Sequence, residues 1–95
     1  MEKIILKYEI NTIDPNKVFS IEYPEHSKIL KFNEQDGKFF LWVEVNSTIS
    51  VSNYFVFRFT GMEYKENDLY NYVYVDTVQF GPLVYHLYKL TPVNK

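Results

Sequence analysis

A chain of 95 residues with a formal net charge of −2, no cysteine and 19% Phe, Tyr and Trp is bounded at once. It is short enough for a single domain over residues 1–95, has no disulfide staple or thiolate chemistry, and lacks the positive field with which general nucleic-acid binders displace counterions from phosphates. Alanine, the strongest helix former, is absent, whereas aromatic and β-branched residues favour a pleated, half-buried surface, so an all-β domain is expected.

The amino-terminal stretch MEKIILKYEI has only a three-residue apolar run, too short for a signal peptide or a membrane span. Within KIILKYEI, residues 3–10, Ile4, Leu6, Tyr8 and Ile10 share one face and Lys3, Lys7 and Glu9 the other, the pattern of a half-buried strand. Asp14-Pro15-Asn16 makes a turn, and VFSIEY then alternates with Phe19, Ile21 and Tyr23 inward until Pro24 ends it. KILKFNEQ (28–35) and KFFLWVEV (38–45) flank Asp36-Gly37, a type I′ hairpin signal because glycine accepts positive φ without penalty. That hairpin sets Gln35 opposite Lys38, Phe32 opposite Leu41, Lys31 opposite Trp42 and Leu30 opposite Val43.

A polar loop around NSTIS leads to NYFVFRFT, in which Phe55, Phe57 and Phe59 face inward; a further hairpin aligns them with Val43, Leu41 and Phe39. GMEYKENDLYN, residues 61–71, is a long acidic connection with a helical turn near Asp68-Leu69-Tyr70, and its Glu63, Glu66 and Asp68 lack the spacing of a calcium loop. YVYVDTVQF, the turn Gly81-Pro82 and LVYHLYKL complete the strands, and the tail TPVNK is expected to fray. The expected architecture is about seven antiparallel strands in a small sandwich or partly closed barrel.

With Leu30, Phe32, Leu41, Val43, Phe55, Phe57 and Phe59 inside, the reverse of those three strands carries Ile29, Lys31, Phe40, Trp42, Glu44, Tyr54, Val56 and Arg58. That face is too apolar to be left in water. Its cover is another segment of the chain such as the 61–71 loop or the tail, a second copy in a homo-oligomer, or a partner or ligand. Lys31, Phe40, Trp42, Tyr54 and Arg58 are therefore candidate binding residues, with the two cations placed to stack on neighbouring rings.

His86 is a sixth candidate. The Gly81-Pro82 turn sets it opposite Thr77 with Val84 and Tyr88 on its own face, where a neutral imidazole needs one donor and one acceptor. His26 lies in the distant PEHS turn, so no zinc spacing exists and no metal is expected. Three glycines, Gly37, Gly61 and Gly81, make no phosphate-cradling loop, and no serine stands in a nucleophile elbow, so no cofactor is expected. A binding protein is expected over an enzyme; the enzymatic alternative is a small hydrolase using His86, which lacks an acid–base partner at any recognisable spacing.

The segments KYEI (7–10), KIL (28–30), LWVEV (41–45), FRFTG (57–61) and LVYHLYKL (83–90) together resemble, in order and spacing, a family of short all-β proteins of unassigned role encoded by bacteriophages and prophages. Gly61 stands where that family typically has Gly-x-Gly. The resemblance implies a phage accessory protein acting in the host bacterial cytoplasm. Two modes follow from that class: an inhibitor that masks a host anti-phage defence factor through a face containing Trp42, Tyr54 and Arg58, or an oligomeric sponge whose subunit junction sets Arg58, Lys31 and aromatic rings around a small nucleotide signal.

Overall fold

The computed structural model describes residues 2–91 and resolves the alternating pattern into seven strands: β1 (Ile4–Ile10), β2 (Phe19–Pro24), β3 (Lys28–Gln35), β4 (Lys38–Val45), β5 (Ser50–Phe59), β6 (Tyr72–Phe80) and β7 (Leu83–Leu90). They form two antiparallel sheets, β1-β4-β3 and β2-β5-β7-β6, packed as a sandwich that does not close into a barrel. A single 3₁₀ turn, Glu66–Leu69, lies in the connection before β6, slightly earlier than the expected helical turn. The tail is anchored at Thr91, whose backbone N–H and hydroxyl both donate to the Asn71 carbonyl at 2.7 Å; the expected fraying beyond it falls outside the described residues.

Asp36 and Gly37 take φ of 53° and 81°, and the β3–β4 hairpin has the expected register from Gln35–Lys38 through Phe32–Leu41 to Lys31–Trp42. Past Lys31 the expectation fails. A bulge at Leu30 puts Ile29, not Leu30, opposite Val43; Ile29 packs against the core and Leu30 is 42% exposed. One extra residue reverses the side of everything beyond it, so a strict period of two cannot be carried through that point.

The expected β4–β5 hairpin does not form either. Residues 46–49 carry the chain from one sheet to the other, so β4 pairs with β1 and β3, and β5 pairs with β2 and β7. Phe55 and Phe57 still face inward, but Phe57 meets Phe32 and Phe39 across the sandwich instead of along a ladder, and Phe55 packs against Phe19 and Tyr23. Phe39 sits at the centre of the rings, 4.8 Å from Tyr85, 5.3 Å from Phe32, 5.4 Å from Phe80 and 5.5 Å from Phe57 between centroids. Tilted and edge-on pairs of this kind add roughly 0.5–1.5 kcal/mol each beyond the area they bury, which is how so short a chain builds a sufficient core.

Candidate functional site

Because β4 and β5 lie in different sheets, the outer face read as one surface is two, on opposite sides of the sandwich. Lys31, Phe40 and Trp42 point outward from the first sheet; Tyr54, Arg58 and His86 point outward from the second. The six candidates do not converge on one site.

On the first sheet the apolar patch is roofed from within. Lys7 on β1 stands opposite Trp42, and its ammonium lies 4.1 Å from the Phe40 ring centroid and 5.1 Å from that of Trp42. It also donates to Gln35 Oε1 at 2.7 Å, and Trp42 Nε1 donates to Asn33 Oδ1 at 3.0 Å. Phe40 and Trp42 are consequently half-buried, and the rim carries the ion pairs Lys3–Glu44 and Lys38–Glu9, each at 3.7 Å. The cation over these rings is Lys7, not the expected Lys31, which is exposed. The alternation of β1 had placed Lys7 on the outer face, but only the β1–β4 register sets it beside Trp42.

The outer face of the second sheet is organised by cross-strand rows. Arg58, His86 and Thr77 form one row on β5, β7 and β6; Val56, Tyr88 and Tyr74 form the next, and Tyr54 extends it along β5. The loops 11–18 and 61–71 fold over one end, so that Val56 and Arg58 are buried although they leave the sheet on its outer side. The 61–71 loop is thus one of the covers anticipated from the sequence. An open pocket of about 350 Å³ remains, lined by Pro15, Val18, Arg58, Tyr64, Asp68 and Tyr72 among others.

Arg58 is the unusual group there. Only 9% exposed, it donates from Nη1 to the carbonyls of Pro15 and Phe57 at 2.9 Å each, and its guanidinium lies 5.5 Å from the Tyr64 ring centroid. Among the described residues no carboxylate pairs with it and its Nε has no hydrogen-bond partner. Glu63 and Asp68 line the same pocket without forming an ion pair with Arg58, and a guanidinium held out of water without a direct ion-pair partner favours the approach of an anionic group. Around it the face is phenolic: Tyr54, Tyr64 and Tyr74 are 45%, 48% and 55% exposed, and Tyr74 meets Tyr88 edge-on at 5.9 Å. Burial raises the Tyr88 phenol above its ordinary value; the nearby Tyr64 and Tyr74 hydroxyls act in the same sense and Arg58 acts against them.

His86 is occupied on both ring nitrogens. Nδ1 lies 2.9 Å from Thr77 Oγ1 and Nε2 lies 2.6 Å from Thr60 Oγ1, while Thr77 Oγ1 lies 2.5 Å from the Tyr74 hydroxyl. The chain Tyr74–Thr77–His86–Thr60 ties β6 to β7 and to the end of β5. Thr77 is the partner anticipated from the hairpin register; Thr60 is not. Among the described residues no group of three His, Cys, Asp or Glu is placed to hold a metal ion, and no helix is long and apolar enough to cross a membrane.

A second concavity, about 300 Å³, opens at the end of the sandwich beside Tyr23, Glu25, Asn53 and Lys89. Burial lowers the Lys89 pKa, with Glu25 opposing the shift. Compared with known families, residues 1–95 match the one described as a domain of unknown function, DUF7352. No curated protein and no solved structure matches the chain.

Proposed function

The chain belongs to the DUF7352 family, and from that premise we propose that it is a non-enzymatic binding protein that engages a protein partner through the tyrosine face of its second sheet. The observation that carries this reading is the cluster of exposed phenols around a buried Arg58 that forms no ion pair among the described residues. Tyrosine offers a large, rigid, amphipathic contact area at small cost in side-chain entropy, and arginine and tyrosine dominate the energetic centres of protein interfaces. An acidic side chain or terminal carboxylate of the partner, reaching Arg58 through the open pocket, supplies the missing counter-charge. The resemblance to phage and prophage proteins supports placing this activity in the host bacterial cytoplasm, with a host anti-phage defence factor as the protein that is masked.

The first sheet is a weaker candidate, because Lys7 already stacks on Phe40 and Trp42. His86 has the role of a structural cross-link, both nitrogens being engaged by threonine hydroxyls.

Affinity capture from infected bacterial lysate with matched variants tests the reading. Tyr54→Ser with Tyr74→Ser, or Arg58→Gln, is expected to abolish capture of a partner that Trp42→Phe and Lys31→Ala retain. Equal capture by all variants, or loss confined to the Trp42 and Lys31 variants, would overturn the assignment.

One observation also favours a second reading, in which the ligand is a small anion: Arg58 lies at the wall of a pocket with Tyr64 against its guanidinium. The sponge anticipated from sequence joins Lys31 to Arg58, and within one copy those residues occupy opposite faces. Only a subunit junction unites them. Calorimetry against a panel of cyclic and linear nucleotides decides this reading, saturable binding lost in Arg58→Gln supporting it and no heat for any nucleotide removing it.

A further inference from the structure

The four sheet edges are not equally protected. β3 and β6 lie against each other, each broken by a bulge, at Leu30 and Val75, and Asp76 Oδ2 accepts from the Phe32 N–H at 3.4 Å across the seam. β2 is the shortest strand and ends in Pro24. β1 has neither bulge nor proline, and its free side shows no backbone hydrogen bond among the described residues. It also exposes Ile4 at 57%, Ile5 at 56% and Leu6 at 37%, although Ile4 and Leu6 are opposite the buried Val45 and Val43 and so leave the strand on its inner side. A regular edge strand with exposed apolar residues is a template for another strand.

We propose that β1 pairs with β1 of a second copy, antiparallel about a two-fold axis at Leu6, joining the two first sheets into one continuous sheet. The register follows from charge. A two-fold axis normal to the sheet keeps the inner faces on one side, so it must pass through a residue and not between two. An axis at Ile5 sets Lys3 against Lys7 twice, and an axis at Lys7 sets that lysine against itself. An axis at Tyr8 opposes Lys7 to Glu9 but directs Ile4 and Ile5 toward the loop residues Thr12 and Asn11, outside the ladder. The axis at Leu6 pairs Lys3 with Glu9 twice and Ile5 with Lys7 twice on the outer face, and Ile4 with Tyr8 twice and Leu6 with Leu6 on the inner one, so that it opposes no like charges, extends the Lys3–Glu44 and Lys38–Glu9 ion pairs across the junction, and brings the exposed Ile4 and Leu6 onto apolar partners. The second copy is therefore the occupant that the strand's own charge pattern fits, and the tyrosine face on the other sheet is left free.

The absence of cysteine allows a clean test with single introduced thiols. Light scattering of the wild-type chain is expected to show the 11.4 kDa mass doubling as concentration rises through the micromolar range. Leu6→Cys should cross-link to a disulfide dimer under mild oxidation far faster than Ile4→Cys, whose two thiols lie four residues apart along the ladder. Lys3→Glu should weaken association at least about tenfold, and Lys3→Glu with Glu9→Lys should restore it, circular dichroism confirming that each variant is folded. A mass of one chain at every concentration with no Leu6→Cys cross-link would overturn the proposal. So would a dimer indifferent to the charge exchange in which Ile4→Cys cross-links as readily.

Discussion

Lys7 and Tyr23 are both side chains whose surroundings differ from what their type suggests. Lys7 spends its aliphatic stem and its charge on Phe40 and Trp42. Lys7→Ala is expected to cost about 0.5–1 kcal/mol and to red-shift the emission of Trp42, the one tryptophan in the chain, whereas Lys31→Ala leaves the spectrum unchanged. Tyr23 is 1% exposed, and its hydroxyl has no hydrogen-bond partner among the described residues. Burial, with Tyr8 adding to it, raises the Tyr23 pKa well above the ordinary 10.0. The folded protein thus keeps this phenol neutral where the unfolded chain ionises, and the associated stability is complete below about pH 10 and lost as pH rises further. Tyr23→Phe is expected to hold stability at pH 7 within about 1 kcal/mol of the parent, or to raise it, and to flatten the alkaline decline seen in urea titrations above roughly pH 10. A larger loss at neutral pH would mean that the hydroxyl is bonded after all.

At the scale of the element, turn chemistry was readable where it is local. Asp36-Gly37 and Gly81-Pro82 specify hairpins through positive φ, and the pairings Lys31–Trp42 and Thr77–His86 follow from counting outward from them. The adjacent apolar pair Ile29-Leu30 breaks the alternation of KILKF and is the one local sign of the bulge at Leu30, but which of the two turns inward depends on the seam with β6, distant in sequence. The β4–β5 connection shows a more general limit. Period-two alternation says which side of a strand is buried, but two strands with inward phenylalanines satisfy it equally well as neighbours in one sheet or as opposing layers. Alternation therefore fixes most inner residues of β4 and β5 but does not show that their outer residues lie on two separate faces. Asp76 Oδ2 accepts from the Phe32 N–H at 3.4 Å across the β3–β6 seam, so Asp76→Ala is expected to speed amide exchange at Phe32 severalfold while exchange along the β5–β7 ladder is unchanged. Unaltered exchange at Phe32 would assign the seam to side-chain packing instead.

At the scale of the molecule, dividing the candidates between two outer faces changes what each can do. The first sheet buries its rings under its own lysine and leaves β1 as its open feature; the second presents phenols around an arginine without an ion pair among the described residues. On the proposed readings, self-association uses the β1 edge and partner recognition uses the outer face of the second sheet, so the two can be tested separately. Hydroxyl-radical footprinting reads both surfaces at once, since tyrosine and tryptophan are among the side chains it oxidises. With a captured partner bound, Tyr54, Tyr64 and Tyr74 are expected to be protected while Trp42 oxidises as in the free protein. Protection of Trp42 with the three tyrosines unchanged would contradict the assignment of the binding face.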